Sequence, residues 1–492
     1  VTELSEARQV DIAARVVESA LSTDPITGDT AFTEWLADCQ DRFRTLVEPV
    51  PLDRLHGWSV HPETGDIGHH SGKFFTVRGL DVEVAGAPIP RWSQPIISQP
   101  EIGILGILVR EFNGVPHLLM QAKVEPGNVN GVQLSPTVQA TRSNYTSVHG
   151  GKAVPYLDYF RAADRHTVLA DVRQSEQGAW FHRKRNRNMV VLVDEPVEVL
   201  DGFCWLTLAQ VHALLRLDDL INMDTRTVLC CFPFSSSGFD SAGLNDTVGL
   251  NNTAGDFRAD LVHGLDPGAP TAQSMAEVLS WITEARTRHD VRVNEIPLNE
   301  VANWYWDDGR ITHDSHMFFD VVGVGVEAVG REVGRWQQPM LEPRGLGLVA
   351  FLVRRIDGVP HVLMHAKVEP GYFDVVELAP TVQCTPETYE HLPAEARPPF
   401  LDEVLAAPAE RIRFDAVHSE EGGRFLHART RYVVIETDTT ETADTEARSN
   451  GDYRWLAPHQ LATLLRHSHY LNVQARSVLA CLHSLVTPEG TR

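Results

Sequence analysis

The segment SNYTSVHGGK, Ser143 to Lys152, places a phenol, an imidazole and an amine within one short stretch. A histidine of near-neutral pKa suits base or acid work. Tyrosine and lysine can donate hydrogen bonds to a developing oxyanion. Tyr145, His149 and Lys152 are therefore candidates, together with Lys123, Glu125 and Glu176. Further along, His365, Lys367, Glu369, Glu377, Glu420 and Glu421 form a second set. The stretch HRKRNRN, His182 to Asn188, is the densest positive patch and holds Arg183, Lys184, Arg185 and Arg187; its counterpart HARTR holds Arg429 and Arg431. Alternating arginines on a strand share one face, and guanidinium groups bind phosphate oxygens in pairs. That pattern points to a diphosphate. The competing structural reading is an edge strand made basic to block pairing.

These groups must be positioned by a duplicated scaffold. MQAKVEPGNVNGVQLSPTVQ, from Met120, and MHAKVEPGYFDVVELAPTVQ, from Met364, share 13 of 20 positions at an offset of 244. The offset pairs Trp92 with Trp336, Asp171 with Asp415, Ser175 with Ser419 and Arg185 with Arg429. Upstream it is 246, and after an acidic insert it becomes 250, pairing Asn222 with Asn472 and Arg226 with Arg476. The expected organisation is an N-terminal helical extension (1–30), a first module (31–232), a linker (233–272) and a second module (273–486). GILGILVREF and GLGLVAFLVRR read as strands, each closed by an NG or DG turn and followed by another strand, which is a hairpin signal. Residues 33–47 show helical periodicity, as do 206–217 and 458–466. The expected fold class is α+β, a mixed sheet flanked by helices in each half.

Composition limits the partners. A net charge of −23 and a pI near 5.4 argue against nucleic acid or an anionic membrane as the main partner. Cys39, Cys204, Cys230, Cys231, Cys384 and Cys481 form no C-x-x-C, so reduced thiols in a cytoplasmic protein are expected. The pairs His69-His70, His313-x-x-His316 and His467-x-His469 have no evident third ligand, and no metal is expected. The sequence Gly345-x-Gly347-x-x-Ala350 opens an apparent strand rather than a helix, so it is no dinucleotide fingerprint.

The hairpin, the E-P-G and the acid Glu377 after Gly371 look like the opening of a Nudix box. The glutamate-rich helix of that box is missing, and Gln133 stands where Glu377 stands in the second copy. A Nudix-like fold without its magnesium chemistry is the expectation.

On the segments QAKVEPGNVNGVQLSPTVQATRSNYTSVHGGK, SEQGAWFHRKRNRNM and SEEGGRF, the chain resembles the NDP-4-keto-6-deoxyhexose 2,3-dehydratases, deoxysugar enzymes of antibiotic pathways. The resemblance implies a lyase acting on dTDP-4-keto-6-deoxyglucose, working as a homodimer and passing a 3,4-diketo sugar to a separate 3-ketoreductase. It also implies that one of two pockets binds nucleotide without catalysing. The C4 ketone acidifies C3–H, and the C2 hydroxyl lies β to that ketone. Proton loss, enolate formation and hydroxide departure need no redox step and no cofactor. A base, an oxyanion donor and an acid are needed. Tyr145 as donor, His149 as base or acid, Lys123 as polariser and Glu176 form the candidate catalytic set, which favours the first module because the second has HLPAEAR where the first has VHGGKAV. For the nucleotide and sugar, Trp92 and Trp336 offer stacking faces, and Gln139 and Gln383 offer hydrogen-bonding edges. Asn128, Lys152, Arg183, Lys184, Arg185, Arg187, Lys367, Glu420, Arg429 and Arg431 complete the candidate binding set. A pyrophosphohydrolase and a non-catalytic nucleotide-sugar sensor are the alternatives.

Overall fold

The computed structural model describes residues 6–141, 153–235, 256–329, 333–437 and 451–488. Each half contributes a seven-stranded mixed sheet. In the first half the order is Thr167–Ser175, Arg185–Val193, Gly103–Phe112, Val115–Val124, Phe203–Thr207. The short strands Val132–Ser135 and Val138–Ala140 add to Val115–Val124 and Gly103–Phe112. In the second half Ile412–Ser419, Arg429–Glu436, Gly347–Ile356, Val359–Val368 and Tyr453–Leu456 repeat that order, with Val376–Ala379 and Val382–Cys384 added. One pairing in each sheet is parallel, Arg185–Val193 with Gly103–Phe112 and Arg429–Glu436 with Gly347–Ile356. The fold is α+β and duplicated, as the repeat requires.

The hairpin turns follow from their residues. Asn113-Gly114 has φ of 52° and 82°, and Asp357-Gly358 has 51° and 79°. Two consecutive positive φ values are what a two-residue hairpin needs, and Asn, Asp and Gly tolerate them. Arg185–Val193 is paired on both sides, so its arginines do not guard a sheet edge.

The halves exchange strands. Thr45–Pro49 pairs antiparallel with Phe319–Ala328 of the second half. Its repeat mate Val291–Ile296 pairs antiparallel with Thr76–Val84 of the first. Residues 45–47, expected as helix, are strand; the helix Asp29–Arg42 ends before them. The run Thr45-Leu46-Val47 is β-prone and finds backbone partners in the other half, which overrides the helical periodicity.

The helices also cross between halves. Helix Glu6–Leu21 buries Ile12, Ala13, Val16, Val17 and Ala20 in the core shared by both sheets. Within the stretch expected as linker, helix Phe257–Gly264 buries Leu261 and Val262 in that same core. Helix Met275–Arg288 begins with a capping box between Ser274 and Glu277, which satisfies two of the first-turn N–H groups. Two fully buried arginines join the halves at the centre. Arg226 donates to Ile221 O (2.8 Å) and Ser419 O (2.9 Å). Arg476 donates to Leu471 O (2.7 Å), Thr227 Oγ1 (2.7 Å) and Ser175 O.

The repeated E-P-G has a structural cause. Gly127 N–H donates to Gly422 O (2.8 Å), and His427 N–H donates to Gly127 O (2.9 Å). Gly371 N–H donates to Gly178 O (2.7 Å), and Arg183 N–H donates to Gly371 O (2.8 Å). A Cβ on either glycine would lie 1.8 Å from a carbonyl oxygen, Phe425 O or Phe181 O. Only glycine allows the two backbones to come this close.

Candidate functional site

Because each E-P-G loop locks onto the S-E-x-G turn of the other half, two composite polar clusters form. Each contains the same relay. Asn222 accepts from Thr225 N–H (2.8 Å) as the N-cap of helix Met223–Leu229, and its amide donates to Gln139 Oε1 (3.3 Å). Gln139 then donates to Glu125 Oε1 (2.7 Å). In the other cluster Asn472 accepts from Ala475 N–H (2.8 Å) and donates to Gln383 Oε1 (2.8 Å), and Gln383 donates to Glu369 Oε1 (2.7 Å). The cap thus fixes the Asn, the Asn orients the Gln amide, and the Gln aims the carboxylate. Lys123 and Lys367 donate to the carbonyls of Gln139 (3.5 Å) and Gln383 (3.0 Å).

The two clusters differ in what surrounds the relay. On the second-half loop, Glu377 is completely buried. Its Oε2 accepts from Ser175 Oγ of the first half (2.5 Å), while Oε1 has no hydrogen-bond partner and lies 4.0 Å from His469 Nδ1. Burial pushes the Glu377 carboxyl up to about 7. The His469 imidazole is pushed down to about 4 by burial and by the positive field of Arg185 and other arginines. Tyr372 Oη accepts from Asn472 Nδ2 (2.9 Å) and turns its own proton toward the Glu369 carboxylate. Burial and the neighbouring Glu369 and Glu377 hold that phenol well above its ordinary range. Phe373, 53% exposed, stacks on His469 (5.7 Å between centroids) and carries Arg185 over its ring at 4.3 Å.

On the first-half loop, Gln133 stands at the Glu377 position and donates to Ser419 Oγ (2.8 Å) and Asn130 Oδ1 (3.0 Å). Asn128 replaces Tyr372; its amide donates to Gly131 O (3.1 Å), and its buried Oδ1 has no hydrogen-bond partner. Carboxyls are denser here. Burial raises the Glu421 carboxyl to about 7, and burial together with Glu421 and Glu176 raises that of Asp224. Asn186 donates to Glu176 Oε1 (2.7 Å), and Lys184 donates to Glu101 O. Burial depresses the Lys184 ammonium despite Glu176 nearby. Glu420 accepts from Gln177 Nε2 (3.0 Å) and Tyr432 Oη (2.8 Å) at the seam between the clusters.

The remaining sequence candidates are engaged by other partners or lie outside the described residues. Tyr145, His149 and Lys152 lie outside the described residues. Arg187 and Arg431 are held by two-pronged pairs with Asp171 (2.7 and 2.6 Å) and Asp415 (2.8 and 2.6 Å). Arg429 pairs with Asp219 (2.5 Å). Trp92 and Trp336 donate to Gln94 (2.9 Å) and Gln338 (2.8 Å), which in turn donate to Ala179 O and Gly423 O (2.7 Å each). They brace the turns of the composite sites from behind. Sequence reasoning did not single out Tyr372, Phe373, Asn222, Asp224 or Asn472, and it weighed His469 only as half of a histidine pair. The repeat alignment held the signal, since Asn222 and Asn472 coincide in it while Asn128 meets Tyr372.

The chain matches the NDP-hexose 2,3-dehydratases over residues 29–232 and 275–482, one segment in each half. It belongs to that family. The dTDP-4-dehydro-6-deoxy-α-D-glucopyranose 2,3-dehydratase of Saccharopolyspora spinosa is 50% identical, covering 96% of this chain and 95% of its own. The enzymes of the same name from Amycolatopsis orientalis and Streptomyces violaceoruber are 48% and 45% identical, covering 98% and 94% of this chain and 96% and 98% of their own. A 2,3-dehydratase is a hydro-lyase, and its two repeats are the two segments that the family match finds. No helix among the described residues of this dehydratase is long and apolar enough to cross a membrane.

Proposed function

We propose that this chain removes water across C2–C3 of dTDP-4-keto-6-deoxyglucose and leaves the 3,4-diketo-2,6-dideoxy sugar on dTDP. The names of three relatives support the substrate. The duplicated mixed sheet, with its NG/DG hairpin and E-P-G loop, supports a Nudix-like scaffold. The family match lends no support to pyrophosphate hydrolysis or to a sensor.

The reaction is assigned to the cluster on the second-half loop, and Glu377 carries that assignment. A buried carboxyl with a pKa near 7, one oxygen fixed by Ser175 and the other without a hydrogen-bond partner, is suited to act as a base at neutral pH. Its carboxylate takes the C3 proton, and the electron pair moves onto the C4 oxygen. Lys367 and the Tyr372 hydroxyl hold that enolate. The enolate collapses to the C2–C3 enol as the C2 oxygen leaves, protonated by the acid Glu377 has become. One water is lost and the carboxylate is regenerated; the enol then takes a proton at C2 and gives its C3 hydroxyl proton to solvent, which yields the C3 ketone. A separate ketoreductase consumes this diketone, and the enzyme works as a cytoplasmic homodimer; both statements rest on the family resemblance.

Glu377→Gln is expected to lower kcat at least ~100-fold, the lower range for a general base, with dTDP affinity kept. Turnover near that of wild type would remove the assignment. A second reading places the chemistry at the first-half loop. It is favoured by Glu421, near 7 and beside Asp224, and it would use Lys123 and Glu176 with Tyr145, His149 and Lys152. Under that reading His149→Ala abolishes turnover and Glu377→Gln does not.

A further inference from the structure

The two composite sites carry opposite electrostatics at one repeated position. Asp219 and His469 correspond at the offset of 250, and both sit in left-handed backbone, with φ of 52° and 64°. Arg429 and Arg185 correspond at the offset of 244 and face them. In the first-half site the Asp219 carboxylate is nearly buried and fully engaged. It pairs with Arg429 (2.5 Å) and accepts from Ser419 Oγ (2.9 Å). In the second-half site the carboxylate is replaced by the His469 imidazole, and Arg185 has no carboxylate partner among the described residues. Phe373 stands where the first half has Val129, and it supports Arg185 from below while its other contact is His469. Arg183 reaches the same ring at 6.0 Å.

We propose that this Asp219/His469 exchange decides which of the two sites binds the nucleotide diphosphate more tightly. Arg185, left unneutralised beside a neutral histidine, binds the diphosphate at the second-half site, and Asp219 occupies the equivalent arginine at the first. An arginine already in a close ion pair must lose that partner before it can bind phosphate, whereas Arg185 needs only to shed water. The aromatic ring under it fixes the guanidinium plane without using its N–H groups. The inference rests on the second-half site being where the sugar nucleotide reacts, and it adds the residue that makes the two sites unequal.

The test is calorimetric titration of the full chain with dTDP, which needs no turnover and so separates this proposal from the role of Glu377. Arg185→Gln is expected to weaken the tighter dTDP-binding event at least ~tenfold, while Arg429→Gln leaves it within about threefold. His469→Asp, which installs the first site's carboxylate, is expected to weaken it by a similar factor, with His469→Asn close to wild type. Should His469→Asp fail to fold, the comparison of Arg185→Gln with Arg429→Gln decides alone. Equal losses for those two arginine variants, or a folded His469→Asp that binds dTDP as wild type does, would overturn the proposal.

Discussion

Replacing Gly371 by Ala tests whether the interlock between halves holds the molecule together. The added methyl would lie 1.8 Å from Phe181 O, against an ordinary contact that begins near 3.4 Å. The two backbones must therefore separate by about 1.6 Å. That movement takes Gly371 N–H from Gly178 O (2.7 Å) and Arg183 N–H from Gly371 O (2.8 Å) beyond hydrogen-bond range. Two net hydrogen bonds at about 1 kcal/mol each and overpacking of about 1–3 kcal/mol give a loss of roughly 3–5 kcal/mol. For a chain of 492 residues, whose unfolding entropy is about 1 kcal/mol/K, that corresponds to a fall in Tm on the order of 3–5 °C. Gly127→Ala meets Phe425 O at the same 1.8 Å and should lose a similar amount. The two variants should then diverge in activity. Gly371 adjoins Tyr372, so only Gly371→Ala should lose kcat when both are assayed well below their melting points. Differential scanning calorimetry gives the first quantity and steady-state kinetics the second. Melting within about 1 °C of wild type for both variants would refute the account of the repeated E-P-G.

Three further outcomes follow from buried charge. The base must be ionised in the free enzyme, so kcat/KM should rise with pH through about 7 and level off above it, and this limb should be absent from the residual activity of Glu377→Gln. Burial raises the Glu377 pKa above its unfolded value, so the folded state holds the extra proton; the contribution of Glu377 to stability falls as pH rises from 4.5 to about 7, and Glu377→Gln should flatten that part of a stability–pH curve. Arg476→Met leaves the carbonyls of Leu471 and Ser175 without their donor and should cost about 3 kcal/mol, measured by urea unfolding; an unchanged midpoint would show that the buried guanidinium does not join the halves.

Much of the fold was legible where the signal is local. Asn113-Gly114 and Asp357-Gly358 specify their hairpin turns by conformational preference, and the 13 shared positions in 20 specify a duplicated structure. Partner choice was not legible. Thr45–Pro49 is a strand only because Phe319–Ala328 lies beside it, and nothing in its own residues names that partner. The site was half legible for the same reason. Lys367, Gln383 and Arg185 stood out by type and spacing. Their assembly with Ser175, Tyr372 and His469 depends on one half closing over the other. The difference between Gln133 and Glu377 was visible in the repeat, yet a carboxyl's role as base depends on its burial, which sequence does not state. Arg187 and Arg431 read as phosphate ligands because their carboxylate partners, Asp171 and Asp415, are 16 residues distant along the chain.

Product analysis in heavy water separates elimination with the nucleotide left intact from hydrolysis. dTDP-4-keto-6-deoxyglucose incubated with the full chain in D2O should yield a dTDP-linked sugar that has lost one water and taken up solvent deuterium at C2. Release of dTMP, or a dTDP-sugar that keeps its C2 oxygen, would contradict the account.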